Sequence, residues 1–422
     1  VSSPNTGPQY PPPGNWPAPQ NSQQPNSQQP PAPQGAPQQP PVQHSADSAT
    51  RPPASNGSAP TPRPATGANA ESAKLLRQAI GQVQRVIVGQ EHMVEQLMVG
   101  LLAKGHILLE GVPGVAKTLA VRSFATVVGG DFARIQFTPD LVPSDIVGTR
   151  IYRASQEKFD VEMGPVFVNF VLADEINRAP AKVQSAMLEL MAEGQVSIGG
   201  ETHKLPKPFI VIATQNPVES EGVYPLPEAQ RDRFLLKVDV PYPRGNEEFE
   251  ILRRMSVEPP EATPILNPEL IRELQKKAQD VFVHNLVAEY IVRLVMATRT
   301  PNEFNLPDLA SVIQIGCSPR ATLGLVAAAR ALALIHGRDY VLPTDVQAVA
   351  KDVMAHRITL GFDAVADNVD TAQVIERILA TVPPPTPVWN SGQRGSNQAQ
   401  PAAGGPAAGG YGGSYGAQLS QR

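Results

Sequence analysis

The chain has a single cysteine, Cys317, in 422 residues. That excludes an internal disulfide framework and a cysteine-built metal site, and it fits a reducing compartment, so a cytoplasmic location is expected. No apolar run approaches the roughly eighteen residues of a membrane-spanning helix, and the first residues lack both the charged start and the apolar stretch of a signal peptide. Neither a transmembrane segment nor an intact signal peptide is therefore expected. A basic cluster is missing as well: Lys+Arg total 35 against 39 Asp+Glu, a formal charge of -4 that argues against nucleic acid as the main partner. Only a basic pore assembled from several subunits would escape that test.

Core-forming residues are missing from both ends. Residues 1–70 hold 19 of the 45 prolines and no lysine, with Arg51, Arg63 and Asp47 as the only charges. Such a segment has too few apolar side chains to offset the entropy of ordering it, and 381–422 repeats the pattern with Gly, Ala, Pro and Gln. Two disordered tails are expected to flank an α/β domain over 71–245 and a helical domain over 246–380.

What is present is organised around 105–120, GHILLEGVPGVAKTLA. A short apolar run, a glycine-bearing turn and Lys-Thr opening a helical pattern form the layout of a phosphate-binding loop. Backbone N–H groups of the turn converge on phosphates, Lys117 adds a point charge, and Thr118 offers a hydroxyl to Mg²⁺. The candidate nucleotide-binding residues here are Gly111, Val112, Pro113, Gly114, Val115, Ala116, Lys117, Thr118 and Leu119. Ala116 stands where the second glycine of G-x-x-x-x-G-K-[ST] is expected. A Cβ fits there if the backbone keeps a negative φ and the methyl faces away from the phosphate.

Further along, Val166–Ala173 (VFVNFVLA) reads as a strand covered on both faces, and it runs into Asp174-Glu175. Two acids at the C-terminal end of such a strand suit phosphoryl transfer: Asp174 to help hold Mg²⁺, Glu175 to orient or activate the attacking water. Capping of the next turn is the plain alternative. Phe209–Thr214 is another buried strand, and Asn216 beyond it can hydrogen-bond that water or the terminal phosphate, or simply make an Asn-Pro turn. Residues 195–205 alternate like a hairpin with Gly199-Gly200 at the bend. Arg231 and Arg233 precede a fifth strand over 234–240. Pro319 suits a helix start, which leaves Arg320 in a first turn where a cation needs an anionic partner, either a phosphate or a structural salt bridge. Residues 138–164 carry no readable period and are expected to be an insertion or surface element.

GVPGVAKT, VLADEINRAP, ATQNP, EAQRDRF and GCSPRA together resemble the motifs of the MoxR family of AAA+ ATPases. The resemblance spans 73–380. It implies an α/β P-loop NTPase fold of AAA+ type: a five-stranded parallel sheet of order 5-1-4-3-2 with flanking helices, then a small all-helical lid. It also implies ATP bound between the sheet edge and the lid, with Mg²⁺ near Thr118 and Asp174. Val88, Gly89 and Gln90 would line the pocket, Lys117 and Thr118 would belong to Walker A, and Asp174 and Glu175 to Walker B. Asn216 would be sensor 1 and Arg320 sensor 2, while Arg233 would reach the nucleotide of the next subunit; Arg231 stays open as the alternative, since many relatives have Leu there. The implied activity is ATP hydrolysis by a homo-oligomer, a hexameric ring, that remodels or activates partner proteins, some with a von Willebrand factor A-type domain. The 195–204 hairpin would face the pore or the client. A nucleic-acid-dependent motor and a scaffold with little turnover are the alternatives.

Overall fold

The computed structural model describes residues 69–218, 222–256 and 260–386. The tails expected to be disordered lie outside these residues, except at their inner ends: Asn69 and Ala70 open the first helix, and the last helix runs to Thr381. Five strands form one parallel sheet: β1 Ile107–Glu110, β2 Phe132–Gln136, β3 Phe170–Asp174, β4 Ile210–Gln215 and β5 Leu236–Asp239. Their order is 2-3-4-1-5, which from the opposite edge reads 5-1-4-3-2 as the family resemblance implies.

Each sheet face feeds its own core, because successive side chains of a strand point to opposite sides. Ile107 and Leu109 join Leu172, Ile212 and Val238 on one face, and Leu108 joins Val171, Ala173, Val211 and Ala213 on the other. Helices Asn69–Val86, Glu91–Leu102 and Lys117–Val128 cover the first face, and helix Ala181–Glu193 covers the second. Coverage of both faces explains why these strands read as continuous apolar runs.

The C-terminal helices Pro268–Asp280, Asn285–Ala297, Pro319–Ile335, Pro343–Met354 and Thr371–Thr381 extend the first core without a break, through Leu274, Tyr290, Leu325, Val349 and Ile378. Fully burying each such side chain contributes about 1.5–3 kcal/mol. The lid is therefore fastened to the ATPase domain by apolar packing. It is also not purely helical: Ile313–Ile315 pairs antiparallel with Thr359–Leu360.

One reading of the middle of the chain needs correction, and one segment left without a form gains one. The expected strand over 166–173 begins only at Phe170, because Asn169 is used as a bracket: its Oδ1 accepts from Asp131 N–H at 3.1 Å and its Nδ2 donates to Pro208 O at 2.8 Å. The unread 138–164 segment contains a hairpin, Gly148–Arg153 with Lys158–Met163, whose exposed Tyr152 and Phe159 rings lie 5.2 Å apart. The expected 195–204 hairpin is present as Gln195–Ile198 with Glu201–Lys204.

Candidate active site

The loop after β1 enters the Lys117–Val128 helix with Lys117 as its first residue. Gly111 is required by space, since a Cβ there would lie 2.5 Å from Val240 O. Gly114 has φ +87° and nothing within 4 Å of the position a Cβ would take, so its backbone faces an open cradle. Ala116 departs from expectation. Its φ is +62° and its ψ +22°, because the turn into the helix demands a left-handed residue whatever the side chain. An alanine pays roughly 1–2 kcal/mol for that conformation. Lys117 Nζ donates to Val112 O at 3.2 Å and to Gly111 O, folding the ammonium over the carbonyls of its own loop.

Beside this loop, Gln90 is buried and donates through Nε2 to Pro241 O at 3.0 Å, just past the end of β5. Gly89 has φ +72° and lies so near Glu247 that a Cβ would meet its carboxyl carbon at 2.5 Å. Gly89 and Gln90 thus stand beside the chain that leaves β5, at the same sheet edge as Gly111.

The acids occupy that edge too. Thr118 Oγ1 donates to Asp174 Oδ2 at 3.3 Å, and Thr214 Oγ1 donates to Asp174 Oδ1 at 2.6 Å. Arg134, on the neighbouring strand β2, holds Asp174 Oδ2 through Nε at 2.9 Å and its terminal nitrogen at 2.7 Å. Glu175 sits at φ +57°, with its N–H bonded to Thr214 Oγ1 at 2.9 Å. Its carboxylate accepts from Gln136 Nε2 at 2.7 Å and pairs with Arg178 at 3.1 Å. A non-glycine residue held in the left-handed region beside the candidate phosphate loop is local backbone strain, of the kind that clusters at functional sites. Asn216 is buried at the end of β4, and its Oδ1 accepts from Val218 N–H at 3.2 Å.

Arg134, Gln136 and Thr214 were absent from the sequence-based set. A period-2 reading of 132–136 would have put Arg134 and Gln136 on one side of β2, where Gln136 lies in register with Asp174.

The residues present fit a magnesium nucleotide. The cradle at Gly114 is open, one hydroxyl and one carboxylate converge at Thr118 and Asp174, and the described residues contain no larger acid, His or Cys cluster that would suit a protein-enclosed metal. Mg²⁺ usually takes one or two carboxylates and leaves its other positions to phosphate and water.

Arg233 and Arg320 do not reach this edge in their own chain, which corrects the expectation of a pocket closed by Arg320. Both lie before the sheet: Leu235 N–H bonds His106 O at 2.8 Å, at the start of β1, whereas the phosphate loop follows the end of β1. Four residues of strand, about 13 Å, separate the two edges. What holds the arginines there is Asp232. Its carboxylate accepts from Ser318 Oγ at 3.0 Å, Arg357 Nε at 2.9 Å and Arg320 at 3.4 Å. Arg357 is buried and also donates to Leu235 O at 3.1 Å and Phe234 O at 2.6 Å. The start of the lid helix is thereby pinned to the loop that carries Arg233. Arg233 and Arg320 are exposed around a cleft of about 390 Å³. Arg231 differs, with its Nε buried.

The AAA family described as "ATPase family associated with various cellular activities" matches residues 106–236, and the AAA lid domain matches 309–378. The chain is 59% identical to Chaperone MoxR1 of Mycobacterium tuberculosis over 321 residues, 76% of this chain and 85% of that one. It belongs to the MoxR family of AAA+ ATPases. Protein MoxR of Methylorubrum extorquens is 33% identical over 298 residues, covering 66% of this chain and 86% of its own length. A solved structure described as an ATPase candidate, from Cytophaga hutchinsonii, superposes with a TM-score of 0.71 at 47% identity, covering 75% of this chain and 96% of its own. A nucleotide-binding ATPase domain and a lid are thus the shared framework of this MoxR chain.

Proposed function

We propose that this MoxR protein hydrolyses ATP with Mg²⁺ as a ring-shaped homo-oligomer, in which each site joins the phosphate-loop edge of one subunit to the arginine edge of the next. The reading is carried by one observation: Arg233 and Arg320 lie at the sheet edge opposite their own Lys117, Thr118, Asp174 and Glu175. A heterologous contact that repeats this pairing gives a ring when its rotation closes, and a hexamer is the ring we propose.

In that site Lys117 leaves its loop carbonyls for the outer phosphates, and the N–H groups around Gly114 hold the phosphate chain. Thr118 and Asp174 are the residues that would hold Mg²⁺, which when bound supplies neutralisation of phosphate charge. Glu175, released from Gln136 and Arg178, takes a proton from water as the water oxygen bonds to the terminal phosphorus and the bond to the ADP oxygen breaks. Asn216 directs that water. Arg233 and Arg320 of the adjoining subunit meet the charge that develops on the transferred group. Arg233 is chosen over Arg231 because it is the exposed one of the two.

The work done is remodelling or activation of partner proteins, clients with von Willebrand factor A-type domains among them, in the cytoplasm. The Mycobacterium tuberculosis relative bears the name chaperone, which supports this reading. Among the described residues no helix is long and apolar enough to cross a membrane. The test is phosphate release by the full chain beside Glu175→Gln. We expect the variant to keep nucleotide binding and lose turnover by a factor of about 10² or more. Equal rates in the two proteins would remove Glu175 from its role.

A further inference from the structure

On the arginine side of the molecule a second cleft, about 570 Å³, opens between the base of the 195–204 hairpin, the start of β4 and the lid helix Pro268–Asp280. Its rim carries Lys104, Lys204, Lys207 and Arg272, and its floor includes Met191 and Phe209. The three lysines are exposed, and among the described residues none of them has a side-chain hydrogen bond or ion pair. Arg272 pairs only with the exposed Glu269, at 3.1 Å. Against these four cations the lining offers one acid, Glu193, in a chain whose overall charge is -4.

Lys104 adds a separate observation. It stands just past the Glu91–Leu102 helix at φ +57°, where glycine would be unstrained. A side chain is kept there at a conformational cost. His106 adds no charge to the cleft near neutrality: burial pushes its pKa down to about 4, and Nδ1 accepts the Val211 N–H at 3.0 Å.

We propose that this cleft docks an acidic segment of a partner polypeptide, with carboxylates on the lysine rim and an apolar side chain on Met191 and Phe209. Residues 1–68 and 387–422 do not supply the occupant: the first stretch contains one acid, Asp47, and the second none. A nucleic-acid backbone fits less well, because it needs a continuous basic stripe, whereas the cations here are confined to one cleft of a chain with a net charge of -4. Because Arg272 belongs to the lid and Lys204 to the hairpin, the bound segment would span both parts. The proposal does not depend on the assignment of the nucleotide site.

The experiment titrates the full chain, without nucleotide, into a short fluorescein-labelled peptide of Glu and Asp with one central Phe, read by fluorescence anisotropy. Binding is expected to weaken with salt and to weaken about tenfold or more in Lys204→Glu/Lys207→Glu. It should persist in Lys204→Arg/Lys207→Arg and in Lys158→Glu, which reverses a charge on the other hairpin. Both lysines are exposed, so an unchanged melting curve serves to separate lost binding from lost fold. No binding by the wild-type chain, or equal binding in the double Glu variant, would overturn the proposal. So would tighter binding of labelled oligothymidylate that disappears in the same variant, which would assign the cleft to nucleic acid. Loss of self-association in that variant, without peptide binding in the parent, would assign it to a second copy.

Discussion

The two edges of the parallel sheet are built on opposite plans. The C-terminal edge gathers strained backbone, at Ala116 and Glu175, with acids held by neighbouring side chains. The N-terminal edge gathers exposed cations braced by Asp232, which the buried Arg357 holds, with apolar lid packing behind them. Among the described residues, Lys117, Thr118, Asp174 and Glu175 stand at one edge, and Arg233 and Arg320 at the other. The contrast teaches that neither edge of a single chain carries both sets of groups, which is why the proposed site is shared between two copies.

The sharpest way to break the comparison is Arg233→Ala, which should lower turnover by about 10³ while leaving nucleotide affinity intact, as steady-state rates beside equilibrium binding would measure. Asp232→Ala tests the brace. It leaves the Arg357 guanidinium buried without its carboxylate and should cost about 3 kcal/mol in denaturant unfolding. Arg320→Ala should cost at most about 1 kcal/mol there, since that side chain is 55% exposed. On the opposite edge Ala116→Gly removes roughly 1–2 kcal/mol of strain and adds about 0.5–1 kcal/mol of chain entropy, so a small net stabilisation is expected.

The smallest effect concerns the joint between the helix after Gln90 and the lid. His92 Nε2 lies 2.9 Å from Asp352 Oδ2, and that hydrogen bond raises the His92 pKa above 6.5. A raised histidine pKa stabilises the fold fully below 6.5 and loses that contribution as pH rises through the folded value. His92→Gln should therefore lower the melting temperature at about pH 6 and match the parent at about pH 9.

The sheet, the turn after β1 and the place of the two acids at a strand end were legible because their signals are local: apolar runs end in Gly-rich or Asp-Glu junctions. The order 5-1-4-3-2 came with the family resemblance and matches the fold. Arg320 was misplaced because its position depends on a contact across 88 residues, to Asp232, that no periodicity encodes. The same holds for Arg134, whose partner Asp174 lies 40 residues away. The 148–163 hairpin escaped because most of its residues face solvent on both sides, which erases the alternation that marks a half-buried strand. At Ala116 the residue type argued for negative φ, and the geometry of the turn prevailed.

The central claim, that one site takes its phosphate loop and its arginines from different subunits, is tested by mixing two inactive variants. Lys117→Ala keeps the arginine edge, and Arg233→Ala/Arg320→Ala keeps the phosphate-loop edge. Mixed in equal amounts and allowed to co-assemble, they create intact junctions at about a quarter of interfaces by random pairing, and ATP turnover should recover to about that share of the wild-type rate. Turnover that stays at the sum of the two separate variants would contradict the account.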